Sequence, residues 1–375
     1  MTKEKNISTP VARQIIIAGG GTGGHIFPAI AIANAIKAEA PATNILFVGA
    51  KGKMEMEKVP QAGYEIEGLN IAGFNRSSLI KNIFLPFKLL KSFFQVRSIF
   101  NRFKPDAAIG VGGYSSFPVL KYAQNKGIPT FIHESNSFAG KSNKMLGKKA
   151  TRIFTATPGM EKFFPAEKIQ VTGNPVRQVI ERMNISRDEA IHFFKLNPLK
   201  KTVLSLGGSL GAQAINEAIA RHLDAFEKND LQLIWQTGKS FKEKATEMAD
   251  GYKNIYVSDF IMQMEYAYTA ADIVISRSGA MALAELCLAK KPVVFVPYPF
   301  AAEDHQTANA KTLVDKSAAL LVANHDAMEK LVPAVIALSK DEAKQQAMKA
   351  KIGNEARRHA DVEIAKSVLS YINKN

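Results

Sequence analysis

Short apolar runs alternate with amphipathic stretches along almost the whole chain. In the first half, the runs that are typical of buried strands are RQIIIA, NILFVG, DAAIGVG, IPTFIH, RIFTA and IQVTG. In the second half they are TVLSLG, LQLIWQ, NIYVS, DIVISRS, PVVFVP and AALLVA. Strands that alternate with helical patterns predict parallel sheets with crossover helices, which is an α/β fold.

The two halves begin alike, because IIIAGGGTGGHIFPAIAIANAI and VLSLGGSLGAQAINEAIA both predict a strand, a glycine-rich turn and an alanine-rich helix. This is the opening unit of a doubly wound domain, here used twice. A chain of 375 residues suits two such domains. We expect an N-terminal domain over 1–175, a C-terminal domain over 176–345, and a helical segment over 346–375. This segment could pack back on the N-terminal domain, and the alternatives are that it docks on the C-terminal domain or on neither.

The composition is that of a globular protein, with 46% hydrophobic and 22% charged residues. No stretch approaches the roughly 18 uncharged apolar residues that span a bilayer, and the N-terminus lacks an apolar signal core. These patterns indicate a cytoplasmic protein. The single cysteine, Cys287, lies in a helical pattern and is interpreted as a small core residue.

The formal net charge of +15 predicts an acidic partner, which could be nucleic acid, a phosphorylated substrate or an anionic membrane. Much of the excess lies between Gly68 and Pro105, where basic residues are interspersed with bulky apolar ones and no acidic residue occurs. Such a mixture is typical of an interfacial membrane patch. No recognised nucleic-acid motif is present, so nucleic acid is not the expected partner.

Within this basic stretch, Pro86 predicts a loop or turn followed by a helix from about Phe87. The residues expected to meet the membrane surround the proline: Ile80, Phe84, Leu85 and Phe87. Phe93, Phe94 and Ile99 are assigned to the core. The alternative is that most of these apolar residues line the core while the lysines form a solvated face.

The first glycine-rich turn, GGGTGGH, favours phosphate binding, because such a turn exposes backbone N–H groups at a helix N-terminus. Gly19, Gly21 and Gly24 also satisfy the dinucleotide fingerprint, but Lys51 stands where that motif needs a carboxylate. A P-loop is disfavoured too, since His25 replaces the lysine that follows its last glycine.

The second half offers two further turns of this kind, GGSLGA from Gly207 and SRSGAMALAE from Ser276. Ser278 lies where a strand ends and a helix begins, so its side chain could cap the helix or meet a phosphate. Glu285 follows two helical turns later on the same side, where a carboxylate can accept both hydroxyls of a ribose. The alternative is an ordinary N-cap serine and a solvated glutamate.

Taken in order, the segments GGGTGGH, GVGGYSSFP, HESNSFAGKSNK, GNPVR, GGSLGA, SRSGAMALAE and EDHQTANA resemble the MurG family of glycosyltransferases over about residues 13 to 320. The resemblance implies two Rossmann-like domains facing a cleft, the glycosyltransferase B fold. It implies an inverting hexosyltransferase that moves N-acetylglucosamine from UDP-N-acetylglucosamine to the 4-hydroxyl of undecaprenyl-pyrophosphoryl-muramyl-pentapeptide, converting lipid I to lipid II. It also implies a peripheral protein at the cytoplasmic face of the inner membrane, acting in peptidoglycan synthesis and hence in cell shape and division.

The resemblance assigns most donor contacts to the C-terminal half, with Arg177 on the diphosphate, Ile261 beside the uracil and Glu285 on the ribose. The full set of implied donor-binding residues is Thr22, Gly23, Gly24, Asn136, Arg177, Ser209, Ile261, Ser278, Gly279, Ala280, Met281, Glu285, Gln306 and Asn309. The acceptor side is assigned to Gly21, Gly113, Tyr114 and Ser115. Leu210 stands where the family more often has glutamine. Arg177 could alternatively form an interdomain salt bridge.

An inverting transfer needs a base for the attacking hydroxyl and positive charge for the departing UDP. His25 is the hypothesised base, because an imidazole with an ordinary pKa near 6.5 is largely neutral at cytoplasmic pH. Its alternative is a helix cap or a ligand of the acceptor phosphate, and Glu134 is the rival base. No D-x-D sequence occurs, so no metal or other cofactor is expected, although Mg2+ from solution could assist.

Two other functions are compatible with these patterns. One is a glycosyltransferase of the same fold that acts on a diacylglycerol or a small-molecule acceptor. The other is a non-catalytic nucleic-acid-binding protein that uses the positive charge, which the interleaved aliphatic residues disfavour.

Overall fold

The computed structural model describes residues 12–72, 85–208 and 211–374. The chain divides into two compact units. The first comprises residues 1–135, 139–175 and 359–375, and the second comprises residues 136–138 and 176–358.

The strands of the first unit are β1 (Gln14–Ala18), β2 (Asn44–Ala50), β3 (Glu65–Leu69), β4 (Ala107–Gly110), β5 (Thr130–Glu134), β6 (Arg152–Thr155) and β7 (Ile169–Val171). Those of the second unit are β8 (Lys201–Leu206), β9 (Leu231–Gln236), β10 (Ile255–Ser258), β11 (Ile273–Ser276), β12 (Val293–Phe295) and β13 (Leu320–Leu321).

The helices before the second unit are α1 (Gly23–Glu39), α2 (Glu55–Gln61), α3 (Leu85–Phe103), α4 (Ser116–Asn125) and α5 (Lys141–Gly147). The helices that follow are α6 (Gln178–Glu181), α7 (Arg187–Phe193), α8 (Gln213–Arg221), α9 (Leu223–Lys228), α10 (Lys239–Met248), α11 (Met264–Ala270), α12 (Ala280–Ala289), α13 (His305–Val314), α14 (Ala327–Lys340), α15 (Glu342–Asn354) and α16 (Ala360–Lys374).

Both sheets have the doubly wound strand order. Within the described residues the first sheet runs β3-β2-β1-β4-β5-β6-β7 and the second β10-β9-β8-β11-β12-β13, with all pairs parallel. The order reverses beside β1 in one sheet and beside β8 in the other. Ligands of such sheets bind at this switch point, outside the carboxyl ends of the strands. The glycine-rich turns follow β1, β4, β8 and β11, so each unit presents them at its switch point.

The last helix, α16, belongs to the first unit. Ile364, Val368 and Ile372 lie in the same buried cluster as Ile15 of β1 and Ile32 of α1. α16 thus covers the apolar face of α1 and contributes to the core of a sheet that is built from the beginning of the chain.

The predicted α/β class with two Rossmann-like halves is confirmed, and each apolar run interpreted as a strand contains one. The sequence analysis missed β3, an edge strand whose EIEGL sequence alternates acidic and apolar residues. Cys287 is buried in the core as predicted, and burial raises the pKa of its thiol to about 12. None of the helices in the described ranges combines the length and hydropathy needed to cross a bilayer.

Helix α3 corrects part of the prediction for the basic stretch. Ile99 is buried as expected, but Phe94 is 64% exposed and was wrongly assigned to the core. Phe87 is 70% exposed and Leu90 57% exposed, so these three side chains form a stripe at the i, i+3 and i+7 positions of one helix face. Ile80, Phe84 and the side chain of Leu85 lie outside the described residues.

Candidate functional site

Two glycine-rich turns of the first unit touch at its switch point. The N–H of Gly20, after β1, donates to the carbonyl oxygen of Gly112, after β4, at 3.3 Å. A Cβ on Gly113 would lie 2.3 Å from the carbonyl oxygen of Gly20, and the φ of Gly113 is +86°. Gly113 therefore satisfies two requirements at once, a left-handed backbone and a close approach between the turns.

His25 lies in the first turn of α1 and is held by the turn that precedes it. Its Nδ1 is 3.1 Å from the carbonyl oxygen of Gly20. Because a carbonyl only accepts, this contact favours the tautomer with the hydrogen on Nδ1 and the lone pair on Nε2, and the Thr22 hydroxyl, 3.4 Å from Nδ1, can accept as well. A Cβ on Gly112 would lie 2.7 Å from Nε2, so the absence of a side chain there leaves room for the ring. The imidazole thus has the tautomer that a base acting through Nε2 requires.

The N-terminus of α1 lacks a side-chain cap. Thr22 is the N-cap residue, with an extended backbone and no capping hydrogen bond from its side chain. The N–H groups of Gly23 and Gly24 have no partner within a helix by geometry, whereas that of His25 donates to the carbonyl oxygen of Thr22 at 3.0 Å. The Gly21 N–H is already used, because it donates to Oε2 of Glu55 at 2.8 Å. The phosphate-binding potential of this turn is thus concentrated at Thr22, Gly23 and Gly24.

In the glycine-rich turn that follows β4, two neighbouring residues differ in solvent exposure. Tyr114 is 46% exposed, as a substrate-contacting side chain must be, whereas Ser115 is buried. The Ser115 hydroxyl has no hydrogen-bond partner within the described part of the chain. Ser116 is not available for a ligand, since its hydroxyl contacts the carbonyl oxygens of Ala18 and Gly112, each at 2.8 Å.

His133 and Glu134 end β5 close to these turns, and both are buried. Burial lowers the pKa of His133 to about 4, and its Nε2–H donates to the carbonyl oxygen of Gly173 at 3.4 Å. The Glu134 carboxylate accepts from the N–H of Gly140 and from Nδ2 of Asn143, which begin and stabilise α5. These contacts favour a structural role for both residues over the role of rival base for Glu134.

The side-chain amide of Gln236, which was not predicted from the sequence, supports the glycine-rich turn that follows β8. Gln236 donates through Nε2 to the carbonyl oxygen of Gly208 at 3.2 Å and accepts from the N–H of Ile261 at 3.1 Å. A Cβ on Gly207 would lie 2.4 Å from the backbone nitrogen of Ala212, so the turn is tight. Ser209 and Leu210, the expected diphosphate contact and the departure from the family pattern, lie outside the described residues.

The Ile261 side chain is buried in the core, and its N–H is occupied by Gln236. An aliphatic contact with a base from this side chain is therefore not available. If a uracil lies beside this residue, the carbonyl oxygen of Ile261 is the group that can meet it.

Helix α12 begins at a glycine that offers no side-chain cap. Its N-cap is Gly279, without a side-chain cap, and Ala280 and Met281 begin the first turn half-buried. Ser278 is not the N-cap that the sequence allowed. Its hydroxyl instead donates to the carbonyl oxygen of Gln306 at 2.8 Å, while Oε1 of Gln306 accepts from the N–H of Tyr298. The positive end of the α12 dipole thus lies beside Ser278, whose hydroxyl is held by the carbonyl oxygen of Gln306.

Glu285 is neither solvated nor unpaired. Its Oε1 accepts from Nε and Nη2 of Arg177 at 3.2 and 3.0 Å, and its Oε2 accepts from the Tyr268 hydroxyl at 2.9 Å. Burial raises the pKa of Tyr268 well above its ordinary value, and the adjacent carboxylate raises it further. The salt bridge weighed for Arg177 exists, but within the second unit.

Asn309 is buried and fully engaged through its side-chain amide. Its Oδ1 accepts from the N–H and hydroxyl of Ser137, and its Nδ2 donates to Asn136 and to the carbonyl oxygen of Ser278. Asn136, expected on the N-terminal domain, is accordingly grouped with the second unit. Asn309 thus holds residues 136–138 beside the start of α12. A direct contact of Asn309 with a sugar stays a prediction.

The chain matches two protein-family descriptions in tandem. Residues 15–155 match the glycosyltransferase family 28 N-terminal domain, and residues 202–363 match the glycosyltransferase family 28 C-terminal domain. Between them they include the four glycine-rich turns and both sheets' switch points.

The chain is also similar over almost its whole length to characterised bacterial proteins. It is 50% identical to the UDP-N-acetylglucosamine--N-acetylmuramyl-(pentapeptide) pyrophosphoryl-undecaprenol N-acetylglucosamine transferase of Parabacteroides distasonis, covering 96% of this chain and 99% of that protein. The protein of the same description from Flavobacterium psychrophilum is 47% identical, with 96% and 98% covered.

Solved structures share the architecture. The crystal structure of Acinetobacter baumannii MurG aligns with a TM-score of 0.77 and 29% identity, covering 97% of this chain and 100% of that one. A UDP-N-acetylglucosamine 2-epimerase aligns with a TM-score of 0.67 at 15% identity, covering 97% of each chain. The latter similarity concerns the fold alone.

Proposed function

The chain belongs to glycosyltransferase family 28, and from that premise we propose that it transfers N-acetylglucosamine from UDP-N-acetylglucosamine to undecaprenyl-pyrophosphoryl-N-acetylmuramyl-pentapeptide. The observation that carries the proposal is the 50% identity to a transferase of that description across 96% of this chain. Such a match covers the switch-point turns of both units, where a nucleotide sugar and its acceptor are expected to bind.

On the donor side, the proposal uses the N-terminus of α12 and the glycine turn after β8. The dipole of α12 attracts the diphosphate to the end of the helix that begins after Gly279, and Arg177 supplies positive charge. Glu285 faces the ribose. Because its carboxylate is held by Arg177 and Tyr268, it is fixed in one orientation before any ligand arrives.

The chemistry is an inverting displacement. The 4-hydroxyl oxygen of the muramyl sugar forms a bond to the anomeric carbon while the bond from that carbon to the UDP oxygen breaks, and UDP leaves with the electron pair. The hydroxyl proton passes to Nε2 of His25, which the Nδ1 contact with Gly20 leaves as the basic nitrogen. Tyr114, the exposed residue of the second turn, is proposed to orient the acceptor.

We also propose that helix α3 meets an anionic membrane surface, where the lipid-linked acceptor resides. The exposed stripe of Phe87, Leu90 and Phe94 supports this proposal, together with lysines on the same helix. Lys88 and Lys91 line an open cavity of about 380 Å³ with Lys51. Apolar side chains beside cations bind acyl chains and anionic headgroups together, which is the behaviour of a peripheral protein.

The proposal is tested by incubating the purified enzyme with radiolabelled UDP-N-acetylglucosamine and the lipid-linked muramyl-pentapeptide. Label is expected in the lipid fraction, and Glu285→Ala is expected to lose transfer through weakened donor binding. Label that stays in the aqueous fraction, with UDP-N-acetylglucosamine still bound, would contradict the acceptor assignment while leaving the donor site intact.

A further inference from the structure

A buried carboxylate supports the glycine turn that holds His25. Glu55, the first residue of α2, is 1% exposed. Its Oε2 accepts from the N–H of Gly21 at 2.8 Å, and its Oε1 accepts from the N–H of Ala50 at 3.0 Å. No ion pair to this carboxylate occurs among the described residues. A buried carboxylate is costly unless it is hydrogen-bonded, and here each oxygen accepts from a backbone N–H.

The surrounding backbone is shaped to admit this carboxylate. A Cβ on Gly20 would lie 2.2 Å from Oε1 of Glu55, and a Cβ on Gly49 would lie 2.5 Å from its Cγ. Both positions therefore need glycine because Glu55 occupies the space. The glycine-rich turn is thus built around a negative charge as well as around a ligand.

The carboxylate and the imidazole bind opposite ends of one peptide group. The N–H of Gly21 and the carbonyl of Gly20 belong to the same planar amide. That N–H donates to Glu55, and that carbonyl accepts from Nδ1–H of His25 at 3.1 Å. Hydrogen bonds that share a polarisable group strengthen one another, so negative charge on Glu55 makes the Gly20 carbonyl a better acceptor.

We propose that Glu55 is a positioning residue for His25, acting through the Gly20–Gly21 peptide group to fix the Nδ1–H tautomer and to increase the basicity of Nε2. The arrangement is a carboxylate–histidine pair with an amide between the two partners. The inference rests on the proposed function only where it concerns turnover, since the coupling itself is a property of the free protein.

Other titratable groups around His25 do not supply this effect. His133, on β5, stays neutral because its buried imidazole has a pKa of about 4. Tyr114 approaches the turn through its ring, with Cε2 3.8 Å from where a Cβ on Gly21 would lie. Helix α16, which packs along α1, carries Asp361 and Glu363 in its first turn, and Gln170 donates to Glu363. Glu55 is the carboxylate that contacts the peptide group bonded to His25.

The test compares Glu55→Gln with Glu67→Gln, the latter on the neighbouring strand β3 with its carboxylate on Arg102. The His25 resonances of 15N-histidine-labelled enzyme are identified by their loss in His25→Gln. We expect Glu55→Gln to lower the pKa of His25 by about one unit, since removing a nearby negative charge disfavours the imidazolium. We expect no shift in Glu67→Gln. An unchanged His25 pKa in folded Glu55→Gln would overturn the proposal.

Kinetics supply a second readout. The acid limb of the kcat profile is expected to move about one unit to lower pH in Glu55→Gln. The alkaline plateau is expected to fall about threefold because a weaker base accepts the proton more slowly, while KM for the donor is unchanged. A loss confined to KM would indicate a merely structural role and would contradict the proposal. If His25→Gln retains turnover, the base assignment fails, while the resonance shift still decides the coupling.

A measurement on the wild-type protein covers the case in which Glu55→Gln does not fold. The amide 15N resonance of Gly21 is expected to titrate with the pKa of His25, because both groups bind the same peptide unit, and to become insensitive to pH in His25→Gln. A Gly21 amide 15N resonance that does not titrate with the pKa of His25 would overturn the proposal without any substitution at Glu55.

Discussion

Nη2 of Arg177 lies 3.0 Å from Oε1 of Glu285, although the two residues are 108 positions apart in the chain. Glu285 is buried and also holds the Tyr268 hydroxyl. The pair joins the two residues that the family resemblance assigned separately to the diphosphate and the ribose. Under the proposed donor assignment, the nucleotide binds at an ion pair that already exists in the free protein, in which each partner orients the other.

Replacing Glu285 with glutamine is expected to weaken binding of UDP-N-acetylglucosamine by tenfold or more, since the amide can neither neutralise Arg177 nor accept from two ribose hydroxyls. The free energy of unfolding is expected to fall by about 2 kcal/mol, because a partly buried cation loses its partner. Calorimetric titration and urea denaturation measure the two effects.

The matched control for Glu285 is Glu329→Gln in the same unit, whose pair with Arg221 is largely exposed. That change is expected to cost under about 0.5 kcal/mol and to leave donor affinity unchanged. Equal donor affinity in Glu285→Gln and the control would remove Glu285 from the nucleotide site.

His25→Gln is expected to lower kcat by about 100-fold or more, the usual contribution of a general base. The donor KM should change little, because the contacts assigned to the donor lie mainly on the second unit. His325→Gln, at a largely exposed imidazole, is the control and should be fully active. Near-normal turnover of His25→Gln at saturating acceptor would exclude it as the base.

The buried His133 makes stability depend on pH. The unfolded chain takes up a proton on this imidazole near pH 6.5, whereas the native protein does so only near its lowered pKa of about 4. The unfolded state therefore binds more protons between these values, and stability falls as the pH is lowered through this window. The loss attributable to His133 is about 3 kcal/mol at pH below 4.

Carboxylates also titrate in that window, so the measurement is the difference between wild type and His133→Asn in urea denaturation from pH 7.5 to 3.5. The asparagine variant should lose less stability over the range, while His325→Gln should follow the wild type. Parallel curves for wild type and His133→Asn would show that folding does not lower the pKa of His133.

Gly113 and Gly127 both have positive φ, but only Gly113 faces a close contact. Gly127→Ala is expected to cost about 1 kcal/mol from backbone strain alone. Gly113→Ala adds a collision with the carbonyl oxygen of Gly20 and should cost clearly more, and it should also lower kcat by moving the turn that holds His25. Equal melting temperatures for the two variants would argue against the tight contact between the turns.

Replacing Phe87, Leu90 and Phe94 of the exposed α3 stripe with serine is expected to reduce sedimentation with phosphatidylglycerol vesicles by tenfold or more. The reason is that interfacial binding strengthens with the apolar area that the protein buries in the membrane. Binding of UDP-N-acetylglucosamine should be unaffected. Leu199→Ser, at a residue that is 92% exposed on the second unit, is the control. Undiminished sedimentation of the triple variant would place the membrane contact elsewhere.

The sequence predicted the sheets well because buried parallel strands are continuous apolar runs. It missed β3, where only alternate residues are apolar and the strand lies at an edge. Phe94 was wrongly assigned to the core because an aromatic residue at helical spacing lies more often in a core than on a surface. Only the packing of α3 distinguishes the buried face of the helix from its exposed face.

Supporting residues were harder to predict than contacting ones. Glu55 and Gln236 carry no motif, because their role is defined by which backbone groups they touch after folding. Ser278, by contrast, lies in a motif but does not have the role that the motif suggests. Its position matches an N-cap, yet its hydroxyl donates to the carbonyl oxygen of Gln306, a partner that is distant in sequence. Spacing predicts which groups share an end of a sheet, but not which of them bond to each other.

The placement of α16 in the first unit also constrains how this protein is made. On the ribosome, the sheet built from β1 to β7 emerges first, but the face of α1 that α16 covers stays open until the whole second unit has been translated. During that interval the apolar side chains of α1 that pack against α16 lack their cover, and the first unit is a candidate for chaperone binding. Completion of the N-terminal core is thus among the last events of synthesis, and a stalled or prematurely terminated chain would carry an incomplete fold however correctly its first 175 residues had assembled.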